Sequence, residues 1–137
     1  MNLVESLLKA DAKKVGQLET DIFKSKKLAK VLGKKGSVDV EIQEIPAKRM
    51  NDIISFQFSK KGEFDISKSF DAKALCAIEG VTNPNLKDEN LLKHFGCATP
   101  KDLAIKLFGT ELNSLSDAIT KLSGYGDEDG DETEIKN

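Results

Sequence analysis

The sequence predicts an α+β protein, predominantly α-helical: a short antiparallel β-hairpin near the N-terminus, then a bundle of short helices and a disordered acidic C-terminal tail. Three observations point there. Residues 37–43 alternate strictly, with Val38, Val40 and Ile42 on one face and Asp39, Glu41 and Gln43 on the other, which is the period of a half-buried strand. From residue 74 to 125 apolar residues recur at helical spacing in short runs, and Gly80, Gly96, Gly109 and Gly124 each follow such a run as helix stops. After Tyr125 come six acidic residues, two glycines and almost no apolar side chain, a composition that buries too little surface to order itself.

Each element has its own signal. Leu3, Val4, Leu7 and Leu8 stand at helical spacing and are followed by Ala10, Ala12 and alternating charge, so a short amphipathic helix is expected within residues 1–15. Ile22 and Phe23 mark a strand over residues 20–25, and residues 26–32 add a helical turn closed by Gly33. The GKKG of residues 33–36 then turns the chain, so the two strands pair as a small antiparallel unit. A two-stranded ribbon is marginal in water, which makes this one depend on helices or on another copy. Pro46 opens the next helix, because its missing N–H costs nothing at the first helical position. Met50, Ile53, Ile54 and Phe58 recur there at i, i+3, i+4 and i+8 as one apolar stripe.

Residues 60–68 read as an internal loop, since Lys61, Gly62, Glu63 and Asp65 interrupt the pattern while Phe64 and Ile66 reach toward the core. Ser69 is the expected N-cap of a helix over residues 70–79, with Phe70, Ala74, Ile78 and Val81 on a shared face. Asn83 and Pro84 turn the chain, because the residue before proline avoids the helical region. Asn85 is the expected cap of a helix whose Leu91, Leu92 and Phe95 form its apolar side. Thr99, Pro100 and Asp102 make a compact start signal of cap, preset turn and dipole-matched carboxylate, with Leu103 and Leu107 facing inward. The last helix carries Leu112, Leu115, Ile119 and Leu122 at i, i+3, i+7 and i+10, and Gly124 ends it. One domain over residues 1–125 and a tail over 126–137 follow.

Composition narrows the function classes. A chain of 137 residues suits one domain that buries roughly two thirds of its unfolded surface. Charged residues at 32% and hydrophobic ones at 39% fit a soluble globular protein. A net charge of -2 argues against nucleic-acid binding, which needs a positive excess. No apolar run approaches the ~20 residues that span a bilayer, and an N-terminus with Glu5 and no basic lead does not read as a secretory signal. Cys76 and Cys97 stand alone on apolar segments, too few for a disulfide framework or a zinc site, which suits a reduced cytoplasm.

Charge is nevertheless uneven. Lys24, Lys26, Lys27, Lys30, Lys34 and Lys35 crowd one stretch without an acidic residue, whereas residues 127–134 are almost wholly acidic. Such runs are usually solvated faces or tails. The sharper readings are attraction between the two runs across subunits, or a small regulatory adaptor that binds nucleic acid through the lysines.

No reactive cluster emerges. The spacing of Asp127, Asp129 and Asp131 resembles the opening of a calcium loop, but glycine stands fourth instead of sixth and no carboxylate occupies position twelve. His94, the only histidine, reads as a residue near a helix end that favours the dipole, and its spacing from Cys97 assures no nucleophile pair. GKKG lacks the spacing and the strand-to-helix context of a phosphate loop. The expectation is a protein with no catalytic residue, no cofactor and no metal. Phe56, Phe58 and Phe64 with Ile53 form the densest aromatic patch. Core packing is one reading of it, and a groove for an amphipathic partner helix is the other.

Read in order, EGVTNPNLKD at residues 79–88, ATPKDL at 98–103 and LSGY at 122–125 resemble the tail assembly chaperones of long-tailed bacteriophages, with the branch of the PBSX-type prophages nearest. The similarity runs from LLKAD at residues 7–11 to LSGY. It implies a homo-oligomeric chaperone, acting in the host cytoplasm and absent from the mature virion. Such proteins coat the tape measure protein, keep it soluble and extended, and help recruit tail tube subunits. The resemblance also implies a longer form made by frameshifting, whose extension engages the tube protein. Neither nucleic acid nor membrane is an implied partner.

Overall fold

In the computed structural model, which describes residues 2–125, β1 (Thr20–Ser25) and β2 (Val38–Gln43) pair antiparallel from Thr20↔Gln43 to Ser25↔Val38. The alternation of β2 does what its pattern demands: Val40 and Ile42 are buried, and Asp39 and Glu41 are exposed. Between the strands lies α3 (Lys26–Val31). Its C-terminus closes in a Schellman motif, with the Gly33 N–H donating to the Lys30 carbonyl at 3.1 Å and the Lys34 N–H to the Ala29 carbonyl at 2.8 Å. The first glycine of GKKG therefore ends a helix as well as starting the return to β2.

The sheet has a third strand that the sequence reading did not contain. β3 (Val81–Asn83) pairs antiparallel with β2, which becomes the central strand of the order β1-β2-β3. Val81, expected on a helix face, is instead the first residue of this strand. Its neighbour Thr82 donates from Oγ1 to the Glu41 carbonyl at 3.2 Å. Two β-branched residues leaving a helix beside an unpaired strand edge favour pairing; a three-residue strand shows no periodicity of its own.

Five helices follow β2 along the chain: α4 (Ala47–Phe56), α5 (Ser69–Gly80), α6 (Glu89–His94), α7 (Pro100–Phe108) and α8 (Leu112–Leu122), with α5 packing on β3 and α8 on β1 and β2. α5 is the hub, packing on α4, α7 and α8. Ala72, Ala74, Cys76, Ala77 and Gly80 of α5 are all buried, so it is enclosed on several sides instead of along the single face expected, and Ile78 is only partly buried. The core gathers Val40, Ile42, Ile45, Met50, Leu103, Phe108, Leu112, Leu115 and Ile119.

The caps divide between confirmation and correction. Thr99 accepts from the Asp102 N–H at 3.2 Å with Pro100 in the first turn, as predicted. Pro46 is itself the N-cap of α4 and stands one residue before the helix. Ser69 lies inside α5, and the capping carboxylate belongs to Asp65, which starts the 3₁₀ turn Ile66–Lys68 ahead of it. Asp88 caps α6 through Oδ1 at 2.8 Å from the Asn90 N–H, whereas Asn85 accepts from Lys87 in the preceding turn. For α6 the side-chain oxygen that comes first in sequence lost to a carboxylate placed nearer the first helical turn.

Long-range ties fix α8 at both ends. The Glu111 carboxylate accepts from the Ser25 hydroxyl at 2.5 Å and from the Lys26 N–H at 2.9 Å, holding the β1–α3 junction. At the other end the Ser123 hydroxyl accepts from the Ile45 N–H at 2.8 Å. Gly124 (φ 91°) closes α8 in a Schellman motif that returns the Tyr125 N–H to the Thr120 carbonyl at 3.0 Å.

By contrast, α1 (Leu3–Lys9) and α2 (Ala12–Val15) contain no buried residue. The expected tail lies outside the described residues, as do Asp127, Asp129 and Asp131.

Candidate functional site: an exposed aromatic loop

α4 stops at Phe56, two residues short of the apolar stripe read from the sequence, because the chain folds into a tight loop. Phe58 and Phe64 form an isolated antiparallel bridge. The loop is closed by the Ser59 N–H donating to the Glu63 carbonyl at 2.8 Å and the Asp65 N–H to the Gln57 carbonyl at 2.7 Å. These bonds satisfy the loop from within, so its aromatic residues pair with each other instead of with the body. The Phe58 and Phe64 ring centroids are 5.6 Å apart, edge to face. The Lys68 ammonium stands 5.4 Å from the Phe56 ring centroid, a cation–π distance.

The structure pairs Phe58 with Phe64, sets Phe56 at the end of α4 beside Lys68, and buries Ile53. Phe56, Phe58 and Phe64 are between 37 and 53% exposed, and Ile66, expected to touch the core, is 77% exposed. Ile53 is 2% exposed; it forms part of the floor of a neighbouring groove between α4, α5 and α8, also lined by Met50, Cys76 and Thr120. That groove, about 200 Å³, is below the ~300 Å³ at which small-ligand pockets begin.

Two titratable groups nearby depart from their ordinary values. The Ser67 hydroxyl and then the Ser67 N–H, both donating to Asp65, hold its carboxyl below the usual range. The turn is fully capped at neutral pH and loses the cap as pH falls through the depressed value. Burial pushes the Cys76 thiol up, against a smaller opposing pull from the Thr120 hydroxyl. Because the thiolate is the nucleophile, a thiol reagent at neutral pH should modify the half-buried Cys97 well before Cys76, and denaturant should equalise them. Equal native rates by mass spectrometry would contradict the packing of α5.

His94 is exposed in the last turn of α6 and stacks edge to face on Phe95 with centroids 4.9 Å apart. Cys97 Sγ donates to the Phe95 carbonyl at 3.7 Å. Among the described residues no three metal-ligating side chains gather, and no helix is long and apolar enough to cross a membrane. A second apolar region went unnoticed as a site: a groove of about 450 Å³ beside α3, assembled from four separate elements that share no local sequence signal.

Fold and site together define a small α+β protein whose candidate site is an apolar surface. The family model described as Phage XkdN-like tail assembly chaperone protein, TAC, matches residues 4–136, and the chain belongs to that family. XkdN is of the PBSX type, in agreement with the branch read from the motifs. The crystal structure of the protein yqbn is similar, with a TM-score of 0.56 and 15% identity over 80% of this chain and 89% of that one. At that identity the likeness is one of fold alone. Curated proteins give no match.

Proposed function

We propose that this tail assembly chaperone binds the tape measure protein, keeps it soluble and extended, and helps recruit tail tube subunits, with Phe56, Phe58 and Phe64 as the contact surface. The observation that carries this reading is the exposure of three aromatic rings at the end of α4 and on the internally bonded loop that follows it. Monomeric proteins seldom leave contiguous apolar patches without a use, and aromatic residues dominate binding surfaces. An amphipathic partner helix laid against this surface would bury the rings along one face. Many copies on one tape measure chain would turn weak single contacts into firm retention. A frameshift-extended form is the natural candidate for the tube contact.

Co-expression with the tape measure protein of the same phage or prophage tests the reading: the partner should become soluble and co-purify with several copies of the chaperone. Phe56→Asp should still melt cooperatively as a folded protein and cut partner recovery at least tenfold. A folded Phe56→Asp variant that still solubilises the partner excludes this surface. The adaptor reading through the basic Lys24 to Lys35 segment predicts instead a nucleic-acid affinity that falls steeply with salt.

A further inference from the structure

We infer that the acidic segment after Tyr125 docks back over a lysine-walled cleft of its own chain and closes that cleft to other anionic partners. The cleft, about 380 Å³, lies between Lys26, Lys27 and Lys30 of α3 and Thr110 and Ser114 around the start of α8. All three lysines are exposed, and none has an ion pair among the described residues. Lys24 differs, because Asp39 stands 2.6 Å from its ammonium. Glu111 is the one carboxylate lining the cleft, and its oxygens already accept from the Ser25 hydroxyl and from the Lys26 and Lys27 N–H groups. Three ammonium groups against one committed carboxylate leave a surface that attracts anions.

Charge and reach both select the chain's own C-terminal segment as the occupant. Residues 126–137 carry six acidic side chains and one lysine. α8 leads away from the cleft, which includes Glu111, toward Ser123, where the hydroxyl accepts from the Ile45 N–H. At ~1.5 Å of rise per residue, Tyr125 therefore stands roughly 20 Å from the cleft. An extended chain covers ~3.3 Å per residue, so Asp127, Glu128 and Asp129 extend no more than ~13 Å from Tyr125. Asp131, Glu132 and Glu134 extend ~20 to 30 Å, the distance of the lysines. Single exposed ion pairs are weak and screened by salt. The tether offsets this by holding the acids at an effective concentration on the order of millimolar, so the contact within one chain prevails over the same contact between dilute copies.

The test uses this chain alone, so its outcome is separate from the tape measure reading. The full chain is acetylated at low salt and the rate at each lysine is followed by mass spectrometry. Neutralising the outer acids together, Asp131→Asn, Glu132→Gln and Glu134→Gln, should speed the reaction of Lys26, Lys27 and Lys30 at least threefold. Neutralising the inner acids, Asp127→Asn, Glu128→Gln and Asp129→Asn, changes the net charge equally and should leave those rates near wild type. The exposed Lys60 and Lys61 should react alike in all three chains, and about 1 M salt should erase the differences. A single-stranded oligonucleotide, as a polyanion probe, should bind the outer variant at least threefold more tightly than the inner one. Equal rates in wild type and the outer variant, equal effects of the two sets of acids, or equal oligonucleotide affinities would each overturn the inference. Protection that vanishes on hundredfold dilution would overturn it too, by placing the contact between copies.

Discussion

Replacing Leu115 with alanine should lower the free energy of unfolding by ~2 to 5 kcal/mol. Leu115 is fully buried on the face of α8 that packs against α5, between Leu112 and Ile119, which are also fully buried. The cost of such a truncation depends on how far the surroundings collapse into the void. Here they have little freedom, because α8 is tied at its start by Glu111 to Ser25 and Lys26 and at its end by Ser123 to Ile45. The upper half of the range is expected. Urea denaturation should show a lower midpoint with an unchanged slope, which marks a stability change without a change in the surface exposed. A midpoint equal to wild type would remove Leu115 from the core.

Gly80→Val should also destabilise, for the opposite reason. A Cβ at Gly80 would stand 2.6 Å from Ile119 Cγ2 and 2.8 Å from its Cδ1, and Ile119 is fully buried with no space to retreat. Overpacking of this kind costs ~1 to 3 kcal/mol or more, and valine adds branches where even the first carbon has no room. Gly80→Ala should destabilise less, since alanine recovers up to ~1 kcal/mol of helix propensity relative to glycine. The decisive comparison is Gly80→Val with and without Ile119→Ala. In direct contact the two effects should fall well short of adding; strict additivity in the melts would show that α5 and α8 do not cross at this glycine.

That glycine also marks the boundary of what a sequence discloses. Gly96 and Gly124 have the sequence setting of helix stops and act as such, both at positive φ and both within Schellman motifs. Gly80 shares their place after an apolar run but not their conformation; its necessity comes from a side chain 39 residues away, and nothing near it in sequence carries that information. The same division separates Thr99, a cap of its own helix, from Glu111, whose carboxylate holds a helix start 85 residues back.

The candidate site divides along the same line. The aromatic cluster was visible as composition, but whether it lay inside or outside was not. Phe58 and Phe64 have the spacing and character of core residues and become surface because the loop satisfies its own backbone. Ile53, three residues from Phe56, goes inward because α4 turns that face to α5.

Local patterns along the chain are enough for the helix and strand periods of most elements, the turn at 33–36, the start of α7, the stops at Gly96 and Gly124, and the family, through motifs held in order. Those are properties of neighbouring residues, governed by local sterics and by hydrogen bonds a few positions long. The third strand, the burial of α5 on several sides, the need for Gly80, the outward turn of the aromatic loop and the groove beside α3 arise from the packed fold. Each depends on which distant segments share a surface, and that is set by the simultaneous packing of the whole chain.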